Sequence, residues 1–425
     1  MNDFANMDRN RLAALRGELQ QAYNTFKTKN LKLNLQRGIP CPEQLELAAE
    51  LMECLPRHDY KAADGTDCRN YGKVDGLPEA KELFARCLNV LPGEIIVGGN
   101  SSLAFMHDIV VKAMLCGLPE SDKPWCKLPA VKFLCPCPGY DRHFAICAHL
   151  GIGMVNIDLK SGGPDMDRIE SLVAKDGTVK GIWCTPKYSN PTGLVYSDEV
   201  VERLARMRTK AKDFRIFWDD AYTMHHLTDS PDNLKNILQA CKDAGNPDRV
   251  FIFASTSKVS FAGAGVAMTA GSENNMDWLR KQLTVQTIGP DKLNQLRHVR
   301  FYKNLDGIAA HMKKHAAIIK PKFDLVSEIF EKELGNKNIA TWSKPNGGYF
   351  ISLNTPEGCA KKVVSMAAEA GVSLTPAGAT YPYGKDPRDS NIRIAPTFPP
   401  LSELRQAMEL VVICVQLAAI EKILR

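Results

Sequence analysis

VFIFASTSKVSFAGAGVAMTAGS, residues 250–272, holds a single charged side chain, Lys258. The run Val250-Phe251-Ile252-Phe253-Ala254 has the β-branched and aromatic composition of a buried strand. It delivers the chain into Ser255-Thr256-Ser257-Lys258 and then into small residues, Ala262, Gly263, Ala264 and Gly265. Burying an ammonium is costly unless it is paired, and burial lowers its pKa. A lysine in such a setting is either a surface charge on a tight turn or a working amine. Two kinds of work fit, a nucleophile or the imine partner of a carbonyl cofactor. The lack of any other charge across the stretch brings the two readings level.

Upstream, strand and helix alternate. Residues 94–97, 131–135, 154–157, 181–184 and 214–218 read as strands, with helical stretches at 79–88, 103–115, 167–175 and 197–211. This alternation predicts an α/β fold built on a mostly parallel, doubly wound sheet. The candidate polar residues fall where strands end and loops begin, the edge at which such sheets bind ligands. Asn100-Ser101-Ser102 follows a strand and opens a helix, where unpaired N–H groups and the positive dipole end can hold an anion. A serine there also has a plain capping use. Tyr140, after Pro138-Gly139, can stack on a planar ligand. Asn190 opens an Asn-Pro-Thr-Gly turn that holds it extended with its amide free. Asp219 and Asp220 end a strand, so they face opposite sides and only one can serve a site. Tyr222 follows two residues later.

The two ends of the chain read differently. Residues 8–28 carry Leu12, Leu15, Leu19 and Tyr23 at helical spacing, and residues 31–35 alternate like a short strand. Gln36-Arg37-Gly38-Ile39-Pro40 is a turn in which Gly38 allows close backbone approach. Residues 43–55 read as a second helix. The glycine-rich loop at 68–78 carries Tyr71, whose hydroxyl can donate to an anion. Residues 292–334 are helical and charged. A strand at 349–353, a helix at 358–370 and a strand at 391–395 follow. Arg393 lies inside that last strand and can grip a carboxylate with two parallel bonds, or form an internal salt bridge. Residues 408–420 are apolar but short, interrupted by Glu409 and Gln416, and read as a terminal core helix rather than a membrane span. The expected organisation is a large domain over 61–305 and a smaller α+β domain built from 1–60 and 306–425.

Composition narrows the function classes. The 425 residues are 44% hydrophobic and 24% charged, ordinary for a globular protein with a large core. The net charge of +6 is dispersed, with no run of five Lys and Arg, so no nucleic-acid partner is implied. The thirteen cysteines contain no C-x-x-C pair and no metal-ligand spacing; they read as reduced thiols of a cytoplasmic protein. The start, MNDFANMDRNRLAAL, lacks the apolar core of a signal peptide. No membrane and no metal are expected.

In chain order these pieces resemble a class I aminotransferase of the fold-type I pyridoxal-phosphate superfamily. The resemblance rests on Tyr71 in its glycine-rich loop, Asn100-Ser101-Ser102, Pro138-Gly139-Tyr140, Asn190-Pro191-Thr192-Gly193, Asp219-x-Ala221-Tyr222, Ser255-x-Ser257-Lys258 and Asn391-x-Arg393, and covers roughly residues 31–400. Gly-Pro-Asp-Lys-Leu-Asn-Gln-Leu-Arg-His and Ser-Phe-Ala-Gly-Ala-Gly-Val-Ala further resemble the bacterial aspartate aminotransferase subgroup, type Ic. The resemblance implies pyridoxal 5'-phosphate as cofactor, with Lys258 as Schiff-base lysine and proton shuttle in a ping-pong transfer between aspartate or glutamate and a 2-oxo acid. It implies that Asp219 keeps the ring nitrogen protonated, Asn190 and Tyr222 bond the ring oxygen, and Tyr140 stacks on the ring. Asn100, Ser101, Ser102, Ser255 and Ser257 would hold the phosphate, joined by Tyr71 from the neighbouring subunit of a homodimer. Arg393 and Asn190 would bind substrate, with Gly38 against it. Arg37 and Arg297 are the candidates for a side-chain carboxylate. Relatives usually carry a phosphate-pairing arginine eight residues after the lysine, whereas this chain has Val266. A lyase or decarboxylase on the same scaffold would share Lys258, Asp219 and Arg393. The effector domain of a transcription regulator would need a DNA-binding domain ahead of Tyr71, where the residues are used by the smaller domain.

Overall fold

The structure is a computed structural model that describes residues 4–425; residues 1–3, counted above with the smaller domain, lie outside the described residues. The strands are β1 (Leu33–Leu35), β2 (Ile95–Val97), β3 (Lys132–Cys137), β4 (Gly153–Lys160), β5 (Gly163–Pro164), β6 (Val179–Cys184), β7 (Arg215–Asp219), β8 (Val250–Ser255), β9 (Ala267–Gly271), β10 (Thr341–Trp342), β11 (Ile351–Asn354), β12 (Val372–Leu374) and β13 (Asn391–Ile394). Eight of them form one sheet in the order β2-β9-β8-β7-β6-β3-β4-β5. β8, β7, β6, β3 and β4 run parallel. Their continuous apolar runs follow from burial on both faces. Phe251 and Phe253 of β8 face one core, with the helices Ser102–Cys116 and Glu273–Gln286. Val250, Ile252 and Ala254 face the other, with Pro78–Leu88 and Asp198–Arg206.

The sheet is mixed at both margins. β9 lies antiparallel between β2 and β8, and β5 lies antiparallel to β4. The eleven residues from Thr256 to Val266 are too few for the helical crossover a parallel neighbour requires, so the chain returns beside β8 in the opposite sense. Lys258 rides on that return, at the carboxyl end of β8.

Outside the large sheet, β1 pairs with β12 in parallel, and β10, β11 and β13 form an antiparallel sheet. The helices Arg9–Thr28, Leu305–Leu334 and Leu401–Leu424 share their core. Asp8 caps the first of these by accepting from the N–H groups of Asn10 and Arg11. Among the described residues no helix is long and apolar enough to cross a membrane.

Two expected helices come out shorter. The one expected over 43–55 breaks into Pro42–Glu46 and a 3-10 turn, Ala49–Met52. Tertiary contacts override helical propensity here. Gln44 is drawn into the core by Tyr349 and His315, and Cys54 Sγ donates to the carbonyl of Arg297. The helix expected over 197–211 is Asp198–Arg206, with Ser197 accepting from Val200 N. Its end is stopped by the Arg249 guanidinium, which donates to the carbonyls of Ala205 and Met207.

Candidate active site

A cavity of about 550 Å³ opens at the carboxyl ends of the parallel strands. Ser255, Ser257 and Lys258 enter it from the β8–β9 return, Asp219 and Tyr222 from the end of β7, and Thr185 and Asn190 from the segment after β6. Tyr140, Asp141 and Arg142 enter from the start of the helix Asp141–His149, and Ser101 and Ser102 from the start of Ser102–Cys116. Gln36, Arg37 and Gly38, together with Phe350, Thr375 and Arg393, close the other side.

The Lys258 side chain is half-buried, with its Nζ 5.0 Å from the Tyr222 ring centre and 5.9 Å from that of Tyr349. Burial lowers its ammonium pKa, and the Asp219 carboxylate opposes that shift. The amine is thereby moved toward the neutral, nucleophilic form. Its backbone is tied down, since the Lys258 carbonyl lies 3.4 Å from both Tyr349 OH and His225 Nε2.

Asp219 is buried. One oxygen, Oδ2, lies 3.0 Å from His143 Nε2, while Oδ1 has no hydrogen-bond partner. A buried carboxylate oxygen without a partner is unfavourable, so this geometry suits a ligand that donates a proton from the cavity. Asp220 does not line the cavity; burial raises its pKa to about 6, against the pull of nearby Lys187. His143 was not singled out from sequence. It stacks on Trp183 at 4.4 Å between ring centres and meets Tyr140 edge-on at 5.0 Å. Its only sequence signal is its place one turn after Tyr140.

Arg393 is buried across the cavity. It donates to Asp141 Oδ1 at 2.9 Å and Asn190 Oδ1 at 3.2 Å, and its guanidinium lies 4.9 Å from the Phe350 ring centre. That same ring explains Gly38: a Cβ there would stand 2.5 Å from Phe350 Cζ. Burial raises the hydroxyl pKa of Tyr222 well above its ordinary value and that of Tyr140 to about 12, so both stay protonated donors.

The serines gather where a helix begins. Ser101 is the N-cap of Ser102–Cys116, yet its side chain makes no capping bond, which leaves the hydroxyl and the first N–H groups open to an anion. Ser255 Oγ donates to Ser257 Oγ at 3.0 Å. Asn100 stands at the margin without lining the cavity; its amide donates to the carbonyl of Gly263. Val266 is buried and adds no charge. Tyr71 is 79% exposed and away from this chain's cavity, and Arg297 does not line it either. Arg37 and Arg142 do line it, and neither has an ion-pair partner among the described residues. Arg142 was not foreseen. All thirteen cysteines are unpaired, and no cluster suited to a metal ion occurs among the described residues.

Behind the Lys258 loop lies a set of buried histidines. His298 Nε2 is 2.8 Å from Ser260 Oγ, and His315 Nε2 is 3.0 Å from His311 Nε2, which in turn meets the Val259 carbonyl at 2.8 Å. Burial holds the rings of His226, His298 and His315 down to about 4 and lowers His225 and His311 as well. Between pH 6.5 and 4 the unfolded chain therefore binds protons that the folded one does not. Stability is full above that window and should fall on acidification through it by several kcal/mol, on the order of 1.4 kcal/mol per pKa unit at each ring. Guanidinium midpoints measured across that range check this; a flat profile would contradict it.

Comparison with known proteins shows likeness over nearly the whole chain. The family described as aspartate amino-transferase matches residues 7–425. A protein of Mycolicibacterium smegmatis is 49% identical over 424 residues, covering 99% of each chain. The aspartate aminotransferase of Corynebacterium glutamicum is 43% identical over 421 residues, covering 99% of this chain and 96% of the relative. The crystal structure of an aspartate transaminase from Corynebacterium glutamicum superposes with a TM-score of 0.97 at 43% identity, over 99% of both chains. With a lysine, an unpartnered aspartate oxygen and a buried arginine around one cavity, and with likeness over the whole length, the chain belongs to the aspartate aminotransferase family, the class I aminotransferases of the pyridoxal-phosphate fold.

Proposed function

We propose that this aminotransferase moves the amino group between L-aspartate or L-glutamate and a 2-oxo acid such as 2-oxoglutarate, in two half-reactions of a ping-pong cycle. The observation that carries the reading is the unpartnered, buried Oδ1 of Asp219, a residue that lines the same cavity as Lys258 and Arg393. The family implies pyridoxal 5'-phosphate, and the residues present fit it. Bound there, the cofactor supplies a conjugated ring that accepts the electron pair left when the substrate Cα–H bond breaks.

Asp219 Oδ1 would accept from the ring N–H, with His143 holding the other oxygen and so the orientation of the carboxylate. Tyr140 would cover one ring face. Tyr222 and the Asn190 amide would donate to the ring oxygen. Ser101, Ser102, Ser255 and Ser257 would hold the phosphate through hydroxyls and helix-start N–H groups, with Val266 contributing no charge. Lys258 would covalently hold the cofactor until substrate arrives, then take the Cα proton and deliver it again as general base and acid. Arg393 would hold the α-carboxylate.

Tyr71 would complete the phosphate site of a second copy in a homodimer. The exposure of Tyr71, Val285 and Ile288 supports this, as does the bond from Gly72 N to the Ile288 carbonyl that joins two of these segments. We assign the enzyme to the cytoplasm, where thirteen free thiols persist.

The unpaired guanidiniums of Arg37 and Arg142 support a substrate with a second carboxylate. Arg142→Gln should lower kcat/KM for aspartate about 10- to 100-fold while alanine changes by less than about threefold. Equal losses for both donors would place the second carboxylate elsewhere. The overall reading is tested by mixing holoenzyme with aspartate alone: one oxaloacetate should form per site, without release of ammonia or carbon dioxide. Continuous release of either would overturn amino transfer.

A further inference from the structure

Arg393 already holds a carboxylate. Its Nη1 donates to Asp141 Oδ1 at 2.9 Å and to Asn190 Oδ1 at 3.2 Å, its Nε to Thr375 Oγ1 at 3.3 Å, and its Nη2 to the Gln36 carbonyl at 3.4 Å. A guanidinium has five N–H groups, so one on Nη2 is left. A carboxylate seated by two parallel bonds needs N–H groups from two nitrogens of one edge. On either edge at least one of those groups is taken, so a resident acceptor must leave.

The three acceptors on Nη1 and Nε are not equally able to go. Asn190 and Thr375 are buried, and Thr375 is further fixed by its 2.7 Å bond to the Gln36 carbonyl. The Asp141 side chain is 33% exposed, lines the cavity and begins a helix. It also carries the same charge as the incoming group, so each repels the other at one cation.

We propose that Asp141 is an internal occupant of the carboxylate anchor, displaced by the α-carboxylate of substrate, and that it thereby sets the affinity of the site for carboxylates. The inference rests on Arg393 being that anchor. In the holoenzyme, Asp141→Asn and Asp141→Ser should raise kcat/KM for aspartate, alanine and 2-oxoglutarate by one common factor, about threefold to tenfold. The Kd for succinate, a dicarboxylate with no amino group to transfer, should fall by a similar factor in calorimetry. Unchanged or weaker binding in both variants would mean that Asp141 only positions Arg393, and would overturn the proposal. A gain confined to dicarboxylates would overturn it too, since the effect would then lie at the second carboxylate. If the wild-type holoenzyme transfers no amino group from any donor, the proposed function fails, yet the succinate titration still reports on Asp141.

Discussion

Lys258→Ala is expected to lower turnover by at least about 10,000-fold, the upper range for loss of a positioned acid-base group, while the folded protein still takes up pyridoxal phosphate. The size follows from what else the cavity holds. Tyr140 and Tyr222 are kept protonated by burial, Asp141 is engaged with Arg393, and Asp219 points one oxygen at His143. None of these replaces an amine whose pKa is lowered by burial. The phosphate site proposed for Ser101, Ser102, Ser255 and Ser257 does not use the Lys258 side chain, so cofactor retention should survive. Single-turnover reaction with aspartate, alongside the visible spectrum of the bound cofactor, gives the answer. Turnover within about tenfold of wild type would remove Lys258 from the chemistry. Partial rescue by added small amines would support its role as a proton carrier.

The second large effect is expected at Asp219. Asp219→Asn keeps the shape but removes the fixed negative charge, and the side chain can present an amide N–H where a ring nitrogen needs an acceptor. Transamination should fall about 1,000-fold, roughly 4 kcal/mol on the barrier. The neighbour is the control. Asp220 is buried too, but it lies outside the cavity wall and near Lys187, so Asp220→Asn should change the rate by less than about tenfold. Steady-state rates for both variants, with cofactor content measured for each, test the pair. Reversal of the two effects would move the role to Asp220.

Much of this was legible along the chain because it depends on local repetition. Residues of β8 alternate between two buried faces, and the same period sends Asp219 into the cavity and Asp220 away from it. Strand ends in a parallel sheet share one edge, so Ser101, Tyr140, Asn190, Asp219 and Lys258 could be expected at one place although up to 157 positions separate Ser101 from Lys258. The lone charge of Lys258 among small residues is itself a local signal.

The amino-acid sequence by itself determined the strand-helix alternation, the sheet edge and the kinds of group gathered there, because period and composition act over a few residues. Only the tertiary structure decided which groups meet. His143 pairs with Asp219 across 76 positions and Asp141 with Arg393 across 252, and nothing in either local pattern names its partner. The same holds for Arg142 joining Arg37 at the cavity, for β9 turning back between β2 and β8, and for the helix around Gln44 giving way to Tyr349 and His315. Contacts of that kind depend on where distant segments come to rest, and that is set by packing of the whole core.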